Sequence, residues 1–131
     1  MFRVNYNEVN EELDTVEKVM SLIKKINDDK LVDKQLVVIE TEDKGVIELG
    51  LGMGDDSVVY YIPESEEEDV LVSCNKLVER AKTEAVNISH VFGDEVECTI
   101  GNIVSLDHGL KILEAFLNGE EFIDIVDWYA Y

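Results

Sequence analysis

A chain of 131 residues has the length of one domain and can bury a single core without disulfides or a metal. Its 30 acids against 11 bases give a formal charge of −19, which argues against direct nucleic-acid binding, since phosphate affinity comes from Lys and Arg releasing counterions, and makes a basic protein the natural partner. No stretch reaches the roughly 18 apolar residues of a membrane span, and the first residues hold neither an apolar run nor a cleavage site, so a soluble cytoplasmic protein is expected.

Residues 2–6 alternate enough to form a short first strand. Residues 13–26 carry a helical stripe of Val16, Val19, Met20, Ile23 and Ile26, with Asp14 and Glu17 at capping-box spacing. A start at Asn10, with Glu11 and Glu12 in the first turn, is the alternative, and the helix ends at residues 27–29. Strands at 35–41, 45–51 and 57–62 follow with short, turn-rich connections, which predicts an antiparallel meander stopped by Pro63. Residues 64–69 hold five acids in six positions, and residues 70–73 make a further short strand. Residues 75–85 permit either a loop or a short helix.

Residues 86–92 and 96–100 read as a hairpin. A two-residue loop would mix apolar and acidic side chains on both faces. A loop over residues 93–95 instead pairs Phe92 with Val96, His90 with Cys98 and Ile88 with Ile100, which makes one face apolar throughout. Near the end, Ser105 is an N-cap, Asp107 sits in a first turn, and Leu106, Leu110, Leu113, Phe116 and Leu117 form one apolar stripe closed by Gly119. After Glu120 and Glu121, residues 122–128 read as a terminal strand ending on the only tryptophan, Trp128. The sum is a single α+β domain over residues 1–131, with an antiparallel or mixed sheet of about six or seven strands and two main helices packed on one face.

The residue types that carry chemistry give little. Gly50, Gly52 and Gly54 lack the third glycine of a dinucleotide loop at its proper spacing and join two strands, so bends or bulges explain them. His90 beside Cys98 has the makings of a thiol nucleophile and its base, but that face turns to the core. Cys74, Cys98, His90 and His108 have no zinc-site spacing. Two cysteines make no disulfide framework; a single bridge stays open, and two free, partly buried thiols are the preferred reading. No enzymatic activity, metal or cofactor is therefore expected.

Clustered carboxylates are more informative. Asp55 and Asp56 lie in the meander, Glu64 and residues 66–69 follow its third strand, and Glu120-Glu121 precedes the last strand. Like charges repel in the folded state, so three such clusters suggest a surface retained for a partner. Trp128 is expected to anchor the core. Tyr60, Tyr61, Tyr129 and Tyr131 are candidate contact residues, and because adjacent strand residues face opposite ways, one of Tyr60 and Tyr61 should be exposed.

The order of these closing features carries a resemblance. A capped helix from Ser105, then Phe116-Leu117, Asn118-Gly119, a short acidic link and a strand ending Val126-Asp127-Trp128 resembles the C-terminal signature of the first-numbered Imm family of immunity proteins, from bacterial polymorphic toxin and contact-dependent competition systems. Asn118-Gly119 stands where a Thr-Gly dipeptide is common, and the proline usual after the glycine is missing. The glycine-punctuated strands around residues 49–54 fit the same family. The resemblance implies a non-enzymatic cytoplasmic inhibitor whose cognate toxin acts on nucleic acid, as a deaminase or nuclease. An acidic surface would then fill the toxin's basic groove, with Asp55, Asp56, Glu66, Glu67, Glu68 and Asp69 as contacts and Tyr60 or Tyr61 as the aromatic anchor. The alternatives are an acidic adaptor for another basic protein and an enzyme using Cys98 or buried carboxylates.

Overall fold

The structure, a computed structural model, describes residues 1–29, 34–75, 85–90 and 95–130. The chain opens as a hairpin: β1 (Phe2–Tyr6) pairs antiparallel with β2 (Val9–Leu13), and Asn7 and Glu8 between them both have positive φ, the backbone of a tight two-residue turn that matches strand twist. This overturns a helix start at Asn10 or Leu13. Helix α1 runs Val16–Asp28, and its cap is Thr15, whose hydroxyl accepts the Lys18 N–H at 3.2 Å. Asp14 is not the cap; its carboxylate takes the Lys18 ammonium at 2.8 Å instead. The expected stripe does face inward, with Val19, Ile23 and Ile26 buried.

The meander follows as read. β3 (Gln35–Glu40) pairs antiparallel with β4 (Val46–Leu51), and β4 with the later half of the third strand. That third strand is split at Val58 into β5 (Asp56–Ser57) and β6 (Val59–Ile62). The split arises because the Gly50 N–H and the Ser57 hydroxyl turn to backbone carbonyls across the bend, Val58 O and Gly50 O, both at 2.8 Å. β5 thereby peels away to pair with the two residues of β10 (Val104–Ser105) ahead of the last helix. Gly52 and Gly54, both at positive φ, turn the chain between strands, as the bend reading requires.

β7 (Leu71–Cys74) pairs with β6 and with the terminal strand β11 (Asp127–Ala130). The terminal strand starts later than expected, because residues 123–125 form a 3₁₀ turn whose Ile123 carbonyl accepts the Trp128 indole N–H at 2.9 Å. The undecided stretch falls mostly on residues 76–84, outside the described residues. β8 (Ala85–His90) and β9 (Glu95–Thr99) do form a hairpin, but with Ile88 opposite Val96 and Val86 opposite Cys98. A loop over residues 93–95 is thus excluded, since Glu95 already pairs with Ser89, and His90 lies beside Leu36 of β3 rather than Cys98; residues 91–94 lie outside the described residues. The shift is by an even number of residues, so it keeps Ile88 and Cys98 on the buried side.

Seven strands run in the order β11-β7-β6-β4-β3-β1-β2, and the β8–β9 hairpin branches from β3 in parallel, making nine in all among the described residues. The class is α+β. Helix α2 (Leu106–Leu117) lies with α1 on one face: Val19, Ile23, Ile112, Leu113 and Phe116 share a core with Val4, Ile39, Ile47 and Leu49. A second core on the opposite face holds Leu36, Val58, Tyr60, Val72, Ile88 and Cys98.

Candidate partner-binding groove

Both ends of α2 are closed as the sequence indicates. Ser105 Oγ accepts the His108 N–H at 3.1 Å, and at the other end Gly119, at φ +73°, reverses the chain. There the Gly119 N–H reaches Phe116 O at 3.2 Å and the Glu120 N–H reaches Ala115 O at 2.8 Å, the paired bonds of a Schellman cap. The reversal throws Glu120 and Phe122 back over the helix end. A second segment arrives because of Gly45: its φ is +95°, and a Cβ there would lie 2.3 Å from Ile62 O. Only glycine lets the β3–β4 turn sit this close to the start of the acidic loop. Thr41 Oγ1 ties that turn together, donating to Gly45 O and accepting the Lys44 N–H, each at 2.9 Å. Lys44 then extends its ammonium to Leu117 O, 3.1 Å away, where a cation is favoured at a helix C-terminus. The third segment is the loop 64–69 itself, folded on Ser65, which accepts the Glu67 N–H through Oγ and the Glu68 N–H through its carbonyl.

Where the three segments meet is a groove of about 390 Å³. Its floor is aromatic: Tyr61, Phe116 and Phe122 pack edge to face with centroids 5.0 to 6.0 Å apart, and Trp128 extends the cluster 6.1 Å beyond Phe122. Its rim is acidic, with Asp43, Glu64, Glu68 and Glu120. Partial burial raises the Tyr61 phenol above its ordinary pKa of 10.0, and the nearby Glu68 carboxylate raises it further. Among the described residues, Lys44 is the one cation lining the groove, and none of Glu64, Glu66, Glu67, Glu68, Asp69, Glu120 and Glu121 forms an ion pair. The chain supplies no local remedy, because no Lys or Arg occurs from residue 45 to residue 75.

The expected contact residues separate into three places. Tyr61 and Glu68 line the groove, and Glu66, Glu67 and Asp69 stand exposed on the same loop. Asp55 and Asp56 are exposed too, but at the far end of α2, where Asp55 O accepts the Leu106 N–H at 2.7 Å and Asp56 pairs with Ser105. The 12 residues of α2 put about 18 Å between the two places. Tyr60 corrects an expectation. It and Tyr61 do face opposite ways, but neither side is open: Tyr60 is 4% exposed in the second core, where its hydroxyl meets the Cys98 thiol, and Tyr61 is half-buried in the aromatic cluster. Tyr129 is 66% exposed on β11, and Tyr131 lies outside the described residues. Asp43, Phe116 and Phe122 were not singled out as contacts, since nothing local in the sequence says that residues 43, 61, 64, 116 and 122 share a surface.

The thiols are free and carry no sign of activation. Cys98 is buried, and burial, then Glu97, pushes its pKa up, against smaller downward pulls from Lys34 and the Tyr60 hydrogen bond. Cys74 is half-buried beside an open cleft that His108 and Asp127 also line; burial and Asp127 raise its pKa against a hydrogen bond from Asn102. Both therefore stay protonated near neutral pH. Among the described residues, no cluster of three or more His, Cys, Asp and Glu side chains is placed to hold a metal ion, and no helix is long and apolar enough to cross a membrane. No protein-family model matches the chain, and no curated protein matches it either.

Proposed function

We propose that this chain is an inhibitor of the immunity type: it binds a cognate toxin domain in the cytoplasm, without a cofactor, and covers the toxin's basic substrate groove. The observation that carries this reading is the convergence of two acidic clusters, far apart in sequence, on an aromatic-floored groove whose carboxylates have no ion-pair partner among the described residues. The resemblance of residues 105–128 to the Imm signature supports it. A toxin that acts on nucleic acid, such as a deaminase or nuclease, needs cations where phosphates lie, and carboxylates on a rigid surface can occupy the same cations. The loop residues Glu66, Glu67, Glu68 and Asp69 form the main contact, with Tyr61 and its ring neighbours as the anchor. Asp55 and Asp56 form an outlying contact within reach of the same interface, which needs about 800 Å² per partner. Tyr60 is withdrawn from the contact set by its burial.

Co-expression with the product of the gene immediately upstream tests the reading. Rescue of growth together with a stable complex in a pull-down is the expected result. No rescue and no complex would remove the immunity assignment and leave an acidic adaptor for some other basic protein.

A further inference from the structure

We infer that the groove receives an arginine side chain of the protein partner, its guanidinium resting on the Tyr61 and Phe122 rings within the carboxylate rim. This rests on the inhibitor reading and names the chemistry by which its central contact is made. The floor and the rim ask for different things of an occupant. An aromatic floor disfavours a strongly hydrated group, yet attracts a cation through the ring quadrupole. A rim of Asp43, Glu64, Glu68 and Glu120 requires a positive charge and offers carboxylates for paired N–H donors. Lysine meets the charge requirement as a hydrated point charge, whereas arginine is planar, weakly hydrated, stacks on rings and donates to carboxylates two bonds at a time.

Three further observations fit. Tyr61 and Phe122 meet at 82° with centroids 5.0 Å apart, and both are only half-buried where they line the groove, so part of each ring faces its interior. Lys44 directs its ammonium to Leu117 O and lines the groove with its aliphatic stem, and its single charge leaves the four carboxylates of the rim in excess. The volume of about 390 Å³ is at the small end of ligand pockets, roughly 300–1,000 Å³, and suits one inserted side chain rather than a helix or strand.

The test titrates the full chain, followed by NMR, with three capped tripeptides at low salt: glycine-arginine-glycine, its lysine counterpart, and its citrulline counterpart, which has nearly the same shape without the charge. The arginine peptide should shift the ring signals of Tyr61, Phe116 and Phe122 and the Gly119 amide, and bind about tenfold more tightly than the lysine peptide, with no shift from citrulline. In the variant Glu64→Gln/Glu68→Gln/Glu120→Gln the arginine affinity should fall about tenfold, while unshifted core methyl signals report an intact fold. Equal response to arginine and lysine, shifts scattered over the acidic surface, or no shift at the rings would overturn the inference. Its failure is separable from that of the inhibitor reading. Growth rescue with toxin affinity undiminished by the triple substitution removes the arginine contact and keeps the inhibitor; arginine-specific shifts without growth rescue do the reverse.

Discussion

At its N-terminal end α2 meets Asp55, Asp56 and Asp107; at its C-terminal end it meets Glu64, Glu68, Glu120 and Glu121. The first group is tied into the fold through the Asp107 side chain and the backbone of Asp55 and Asp56, whose own side chains stay exposed. Asp107 sits in the first turn, where the dipole favours it, and pairs with Lys111 at 3.0 Å, while the backbone of Asp55 and Asp56 satisfies Leu106 and Ser105. The second group stands at the negative end of the dipole, around an aromatic floor, with Lys44 as the one cation beside it among the described residues. The contrast teaches that the chain's acidity is not uniform in meaning. At one end of the helix the Asp107 carboxylate supports the structure, and at the other the rim carboxylates oppose it.

The strongest way to break the comparison is to collapse the C-terminal end alone. Gly45→Ala forces a Cβ against Ile62 O and a side chain onto positive φ, with backbone on the opposing side that cannot yield. A loss of about 3 kcal/mol or more in urea denaturation is expected. A loss under about 1 kcal/mol would mean that the turn can move away and does not hold the acidic loop.

Next come the two caps. Ser105→Ala should cost about 1 kcal/mol, independent of salt, because a neutral hydrogen bond is lost. Lys44→Gln should cost roughly 0.5–1 kcal/mol at low salt and less as salt rises, because what is lost is a charge at a helix end already crowded with carboxylates. Denaturation of both variants across salt checks the contrast, and identical salt slopes would erase it.

The smallest effect sharpens the geometry. Burial and Glu68 hold the Tyr61 pKa above its unfolded value of 10.0, so its stabilising contribution is complete below that pH and is lost as pH rises through the folded value. Glu68→Gln should move the Tyr61 pKa down without returning it to 10.0, since burial is the larger cause, and ring-carbon NMR across the alkaline range reads it directly. A Tyr61 pKa indifferent to Glu68 would separate the loop from the aromatic floor.

Much of the fold was legible because its signals are local. Ser105 and Gly119 mark α2, the alternating strands and Pro63 mark the meander, and the α1 stripe is visible at helical spacing. Errors came where two local signals competed. Asp14 has a capping partner at the right distance, but Thr15 caps, since Asn7 and Glu8 can turn a hairpin that consumes residues up to Leu13. The β8–β9 register was argued from the tightest loop that made one face apolar, and a slip by an even number satisfies the same face. Alternation puts Tyr60 and Tyr61 on opposite faces but says nothing of what covers each face; the second core covers Tyr60. The groove was half legible. Its acidic clusters could be counted, but Gly45, Phe116 and Phe122 join them only through contacts between distant parts of the chain.

The most direct test of the central claim is thermal denaturation of the wild-type chain and of Glu64→Gln/Glu68→Gln/Glu120→Gln as salt is raised. If these carboxylates are held against the fold, the variant melts higher than wild type at low salt, and the gap closes near 1 M, where the screening length falls to about 3 Å. A variant that melts lower than wild type, or a gap indifferent to salt, would show that the rim carboxylates stabilise the structure and would contradict the account.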